Sequence, residues 1–403
     1  MKKLFIAFEW LHMGGTEKFI LDAISLLPKD EYQVDLFLIH EEGPYLQYLP
    51  SDVRLVCPFK MGRVEFDRRY AEIAANYSTR ACLKRKKYGR AIFRYIANKF
   101  NRDRLKRFGS LLSDVDTELK YDIVIGASMT QLFSTAVASA IDADRKYLWV
   151  HMPFADKRSK NFVYFNAKYF AKYVDKFDGI VCVSNGIKQM VRSAMPNYKG
   201  FVTTMYNYFD VAAIKTKAQE QIAETLDGDI KIVSVGRVES QKGFDIAIEA
   251  AKILQKNGNK FVWYIIGDGK YRAELTKRAE KLGLNDCFVF LGRHNNPYPY
   301  MRMCDIYCQP SRYEAFCTTI IEALVLEKPI VATDFTGIDE QIIDGQNGLI
   351  VNKTPKGIAF GLEKMFNAEF RSKLASNADC QSAYKRGVAL DKGYLDQLNN
   401  LCE

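Results

Sequence analysis

No run of eighteen apolar residues occurs in the 403-residue sequence, so no segment reads as a membrane-spanning helix. Met1-Lys2-Lys3 leads into an apolar block, Leu4 to Trp10, that is too short for a signal peptide and reads as a first strand; a cytoplasmic protein is expected. There are nine cysteines, an odd number without zinc-type pairing, and Cys304 and Cys308 have no companion pair. Reduced thiols are the expectation, not a disulfide framework. No metal is expected at the site. The glycine loop after the first strand is not Gly-x-Gly-x-x-Gly, which weakens any dinucleotide reading.

What is present is an ordinary globular composition, 48% hydrophobic and 26% charged, long enough for two domains with full cores. Lys3 to Trp10 is nearly continuous in apolar residues, as in a strand buried on both faces of a parallel sheet. A loop with Gly14-Gly15 follows, where backbone can approach a ligand closely, and Thr16 can cap a helix that stops at Pro28. Further strands are read at 34–40, 53–56, 121–127, 146–150 and 179–184, with Ser184-Asn185 capping the helix after the last. Strand 146–150 delivers His151 at its carboxyl end, where ligands of open α/β sheets sit. The alternation repeats from Ile230: helix 243–257, strand 261–266, helix 271–283, strand 287–291, strand 305–308, strand 329–333, a short helix 337–343 and strand 348–351. Two doubly wound sheets are therefore predicted.

The net charge of +10 is concentrated: 60–107 holds 16 Lys plus Arg against 4 Asp plus Glu, leaving the rest of the chain near neutral. Tyr88, Ile92, Phe93, Tyr95, Ile96 and Phe100 interleave with those cations at helical spacing. A basic amphipathic helix of this kind suits an anionic membrane surface.

The strongest functional signal is Ser311-Arg312-Tyr313-Glu314-Ala315-Phe316-Cys317-Thr318, with Glu322 one turn into the following helix on the face of Thr318. The backbone N–H groups of Cys317, Thr318 and Thr319 would open that helix, which favours a phosphate. Arg237 and Lys242 occupy an equivalent strand-to-helix loop upstream. Two cations and two carboxylates at one sheet edge suggest a polyhydroxylated, phosphorylated ligand.

Glu-x7-Glu in a Ser-x-x-Glu-x-Phe context, with Val235-Gly236-Arg237-Val238-x3-Lys242-Gly243 before it and Gly14-Gly15-Thr16-Glu17 near the start, resembles the GT-B retaining glycosyltransferases of family 4 (group 1). The resemblance implies two Rossmann-like domains facing across a cleft: 1–208 for the acceptor, carrying the basic segment 60–107; 209–382 for the nucleotide sugar; and a closing helix, 383–403, that crosses back. It implies a hexosyltransferase-type enzyme acting with retention on a nucleoside diphosphate sugar, a UDP-sugar more than a GDP-sugar, with no cofactor required. The acceptor is expected to be a glycan, lipid-linked, in capsule, exopolysaccharide or lipopolysaccharide synthesis, on the inner face of the cell membrane. By the same resemblance Glu314 and His151 are the catalytic candidates. Glu322 would meet the ribose hydroxyls, and Arg237, Lys242 and Thr318 the diphosphate, with Gly14, Gly15, Phe316 and Cys317 beside the donor. Asn207 would stand at the junction, and the base is expected near Gly267 and 293–296. The family's Glu-Gly-Phe-Gly is here Glu314-Ala315-Phe316-Cys317, so this loop lacks the positive-φ freedom of two glycines. Two other readings stay open: an epimerase or phosphorylase on the same fold, and a nucleic-acid-binding protein using 60–107, although no nucleic-acid module is recognised.

Overall fold

The computed structural model describes residues 1–8, 11, 14–38, 43–56, 120–127, 132–151, 173–222, 224–378 and 396–397. The basic segment 60–107 lies outside them, as does all but two residues of the expected closing helix 383–403. The chain forms two compact units, the first from 1–181 with 191–203, the second from 182–190 with 204–401.

The first unit is built on β1 (Lys2–Ala7), β2 (Tyr32–Phe37), β3 (Arg54–Val56), β4 (Tyr121–Ala127), β5 (Ala143–Val150), β6 (Gly179–Cys182) and β7 (Phe201–Thr204). Their order is β3-β2-β1-β4-β5-β6-β7, and β1 pairs in parallel with both β2 and β4. Phe5, Leu36, Val124 and Leu148 are fully buried, which accounts for the unbroken apolar runs in sequence. Asp35 is buried among them because Arg54 Nε donates to its carboxylate at 2.8 Å and the Tyr121 hydroxyl at 2.5 Å. A carboxylate there is tolerable only when paired in this way.

The second unit holds β8 (Lys231–Val235), β9 (Val262–Ile266), β10 (Phe288–Gly292), β11 (Ile306–Gln309), β12 (Ile330–Thr333) and β13 (Gly348–Val351). The order is β10-β9-β8-β11-β12-β13, and all five pairings are parallel. Helix Phe244–Lys256 buries Phe244, Ala247, Ile248, Ala251 and Leu254, a stripe at three- and four-residue spacing laid against Trp263, Ile306 and Leu362. Phe244, Ile248 and Leu254 each contribute roughly 1.5–3 kcal/mol by leaving water. Trp263 is fully buried, and its indole N–H donates to Ser234 Oγ at 2.9 Å.

Several local expectations shift. Thr16 does not cap the first helix: it lies inside helix Gly15–Leu26, whose N-cap is Gly14 with no side-chain hydrogen bond. The short helix expected at 337–343 is a single 3-10 turn, Ile338–Glu340. Helices Tyr298–Met303, Pro355–Phe366 and Ala368–Ser376 were not anticipated. The first opens on Pro297 and holds Pro299 at its second position, where a missing N–H costs nothing, although proline reads as a breaker in sequence.

Candidate active site

The order of the second sheet fixes where ligand chemistry can sit. β8 and β11 are neighbours, and the chain winds outward from them in opposite directions, so the loops that follow both strands leave from adjacent carboxyl ends. The first loop carries Arg237, Gln241 and Lys242; the second carries Ser311 to Cys317. Residues some 72 apart in sequence thereby meet.

Lys242 Nζ donates to Glu314 Oε1 at 2.8 Å, and the two side chains are only 16% and 8% exposed. Ser311 Oγ donates to the same oxygen at 2.6 Å, and Gln241 Nε2 to Oε2 at 3.0 Å. Burial works against the Lys242 charge, but the attraction of Glu314 and its hydrogen bond override it, and the ammonium ends above its ordinary range. Glu314 is thus a carboxylate stabilised by three donors. A carboxylate held by three donors is a weak nucleophile. Arg237, exposed on the same loop, adds a second positive charge near Lys242.

Polar contacts that the sequence did not announce lock the two loops. Arg312 forks onto Asp245, with Nη1 to Oδ1 at 2.7 Å and Nη2 to Oδ2 at 2.6 Å, and Nη1 also reaches the Ser240 carbonyl at 2.7 Å. The Arg312 amide donates to the Gln241 carbonyl, and Gln241 Nε2 also reaches the Tyr313 carbonyl. Burial raises the Asp245 pKa, but the Arg312 hydrogen bond and charge outweigh it and hold the carboxyl below its usual range. Behind the loop, Gln309 Nε2 donates to Ser311 Oγ at 2.8 Å while its Oε1 accepts from Tyr307 and Thr319. Helix Phe244–Lys256 starts at Gly243, which has φ +68°, and a Cβ there would stand 2.1 Å from the Pro310 carbonyl oxygen.

Glu322 is buried and accepts from the Tyr298 hydroxyl at 3.0 Å. The expectation that the Cys317 N–H is open to a ligand is corrected: it donates to Gln341 Oε1 at 3.1 Å, and Gln341 Nε2 returns a bond to the Cys317 carbonyl at 2.8 Å. Burial pushes the Cys317 thiol up to about 12, so it stands neutral beside Lys242. Thr318 begins helix Thr318–Val325. Phe316 is buried against the rings of Tyr206 and Phe209, which makes it a packing residue in this structure. Of the region expected to receive the base, Asn296 is already engaged, donating to the Lys217 carbonyl and to Glu220. Ser184 caps its helix as expected, through the Ile187 amide at 3.2 Å, and also donates to the Ala315 carbonyl at 2.8 Å. Glu340 completes that cap, accepting from the Asn185 and Gly186 amides at 2.7 Å each and from the Tyr206 hydroxyl. Asn207 is buried and its Oδ1 has no partner among the described residues.

In the first unit, Gly14 and Gly15 follow β1 at the start of their helix, and His151 directly follows β5. His151 is 5% exposed, packed against Phe19 and Trp149, and its Nε2 has no hydrogen-bond partner among the described residues. Burial alone lowers its pKa from 6.5 to about 3. The unfolded chain takes up a proton near pH 6.5 that the folded unit refuses until about pH 3, so full stability holds above 6.5 and is lost as pH falls. The slope is about 1.4 kcal/mol per pH unit. His151→Phe is expected to flatten the urea stability of the first unit between pH 6.5 and 4; equal slopes in both proteins would contradict a neutral buried imidazole.

Residues 215–381 match the family described as Glycosyl transferases group 1. An alpha-D-kanosaminyltransferase of Streptomyces kanamyceticus is 32% identical over 42% of this chain and 44% of its own. The N-acetylgalactosamine-N,N'-diacetylbacillosaminyl-diphospho-undecaprenol 4-alpha-N-acetylgalactosaminyltransferase of Campylobacter jejuni is 34% identical over 47% and 49%. The chain spans about half the length of these curated relatives. Anabaena HepE, solved in complex with UDP and glucose, superposes with a TM-score of 0.70 over 99% of this chain and 98% of its own, at 18% identity. The second unit is a group 1 glycosyltransferase domain, and the chain has the GT-B fold of two Rossmann-like domains.

Proposed function

We propose that the protein is a retaining glycosyltransferase that moves a sugar from a nucleoside diphosphate sugar to a hydroxyl of a glycan acceptor. The observation that carries this reading is the convergence of Lys242, Arg237 and Glu314 at the β8–β11 switch point. The acceptor oxygen bonds to the anomeric carbon on the face from which the diphosphate departs. The electron pair of the breaking C–O bond goes to the leaving phosphate, which also takes the acceptor proton. Arg237 and Lys242 offset the charge that builds there, work for which fixed cations suffice. Glu322 is assigned to the ribose hydroxyls, and Gly14, Gly15 and His151 to the sugar. HepE's complex with UDP supports a UDP-sugar donor, and the diphospho-undecaprenol in the Campylobacter relative's name supports a lipid-linked acceptor in surface-polysaccharide synthesis. Among the described residues no helix is long and apolar enough to cross a membrane; contact with anionic lipid is assigned to 60–107.

A thermal-shift panel with UDP, GDP, ADP, CMP and their sugars tests the donor site, because a bound ligand raises Tm by mass action. One nucleoside diphosphate is expected to raise Tm, and Arg237→Ala to abolish the rise while leaving the ligand-free Tm unchanged, since Arg237 is exposed. No rise with any nucleotide at millimolar concentration would reject the reading.

A further inference from the structure

The partners of Lys242 and Glu314 are unequal. Among the described residues Lys242 Nζ has one hydrogen-bond partner, Glu314, whereas Glu314 also has Ser311 and Gln241. If the ammonium turned away, Glu314 would keep a donor on each oxygen, and only Lys242 would need a new anion. A buried polar group left without a partner is costly, so this asymmetry makes the exchange cheap on one side only. The two helices flanking the pair, Phe244–Lys256 and Thr318–Val325, begin without a side-chain cap. The Arg312–Asp245 fork keeps the two loops at fixed spacing whichever anion Lys242 faces.

We infer that Glu314 is an internal counter-ion that holds the place of the donor's diphosphate on Lys242 and yields it when the donor arrives. The inference rests on the donor-site reading above. A nucleoside diphosphate carries more charge than one carboxylate and captures the ammonium, while Glu314 falls back on Ser311 and Gln241. No covalent bond changes. The resting site is thereby neutralised against stray anions, and donor affinity is set by competition with Glu314.

The test is calorimetric titration of the full chain with UDP, GDP and inorganic pyrophosphate. Glu314→Gln removes the competing charge but keeps the shape, and is expected to tighten the nucleotide that binds the wild type on the order of tenfold. Pyrophosphate, which lacks base and sugar, should tighten as well. The ligand-free Tm of Glu314→Gln should be lower and its ligand-induced rise larger than in wild type. Ser311→Ala takes away a fallback donor and should weaken binding several-fold; it carries the test alone if Glu314→Gln does not fold. Wild-type binding with Glu314→Gln equal or weaker, or with Ser311→Ala unchanged, overturns the counter-ion inference and leaves the donor site standing. No binding by wild type or variant overturns both.

Discussion

Lys242→Ala is expected to lose nucleotide binding and, with no ligand present, to destabilise the second unit by about 3 kcal/mol. The substitution leaves the 8%-exposed Glu314 carboxylate without its cation. Ser311 and Gln241 still donate to it, which keeps the loss near the low end for a broken buried pair. Removing both charges together, in Lys242→Ala with Glu314→Gln, should restore most of the stability without restoring binding, because nothing charged remains buried alone. Urea unfolding of the two single variants and the double variant reads this as a cycle. An unchanged midpoint for Lys242→Ala would mean that the pair carries no stability and is open to solvent.

Gly243→Ala should cost more than its chemistry suggests, about 3–5 kcal/mol, by adding strain at positive φ to a backbone collision. A methyl group at Gly243 would lie 2.1 Å from the Pro310 carbonyl oxygen, and that oxygen belongs to rigid chain at the end of β11. The β8 and β11 loops would have to part, drawing Lys242 from Glu314. Gly258 is the control: it too has positive φ, at +80°, but nothing lies within 4 Å of the added atom. Gly258→Ala should therefore cost only about 1 kcal/mol. Equal midpoints for the two variants would show that the two loops are less closely packed than the structure places them.

The parallel sheets were legible because their strands are buried on both faces and leave apolar runs with no alternation; β11 and β12 are buried at every position. Glu314 and Lys242 were legible as parts of a motif. Their direct pairing was not, because it depends on β8 and β11 becoming neighbours, which local pattern does not specify. The same holds for Arg312 with Asp245 and for Gln341 with Cys317, 67 and 24 residues apart. Gln241 and Ser311 stood beside the motif residues as polar side chains between strand and helix, but their geometry comes from the fold. The occupied Cys317 amide shows the limit of reasoning from helix ends: a terminal N–H is available to a ligand only if no tertiary neighbour reaches it first.

The cap that Glu340 places on the Asn185 and Gly186 amides also bears on how the chain is made. Its two sides are 154 and 155 residues apart in sequence. At a synthesis rate of about 5–20 residues per second, those amides leave the ribosome roughly 8–30 s before the carboxylate that satisfies them. The segment 182–190 belongs by its contacts to the unit that is translated later. Until Glu340 emerges the Asn185 and Gly186 amides lack that carboxylate, so this helix start is completed only late in synthesis.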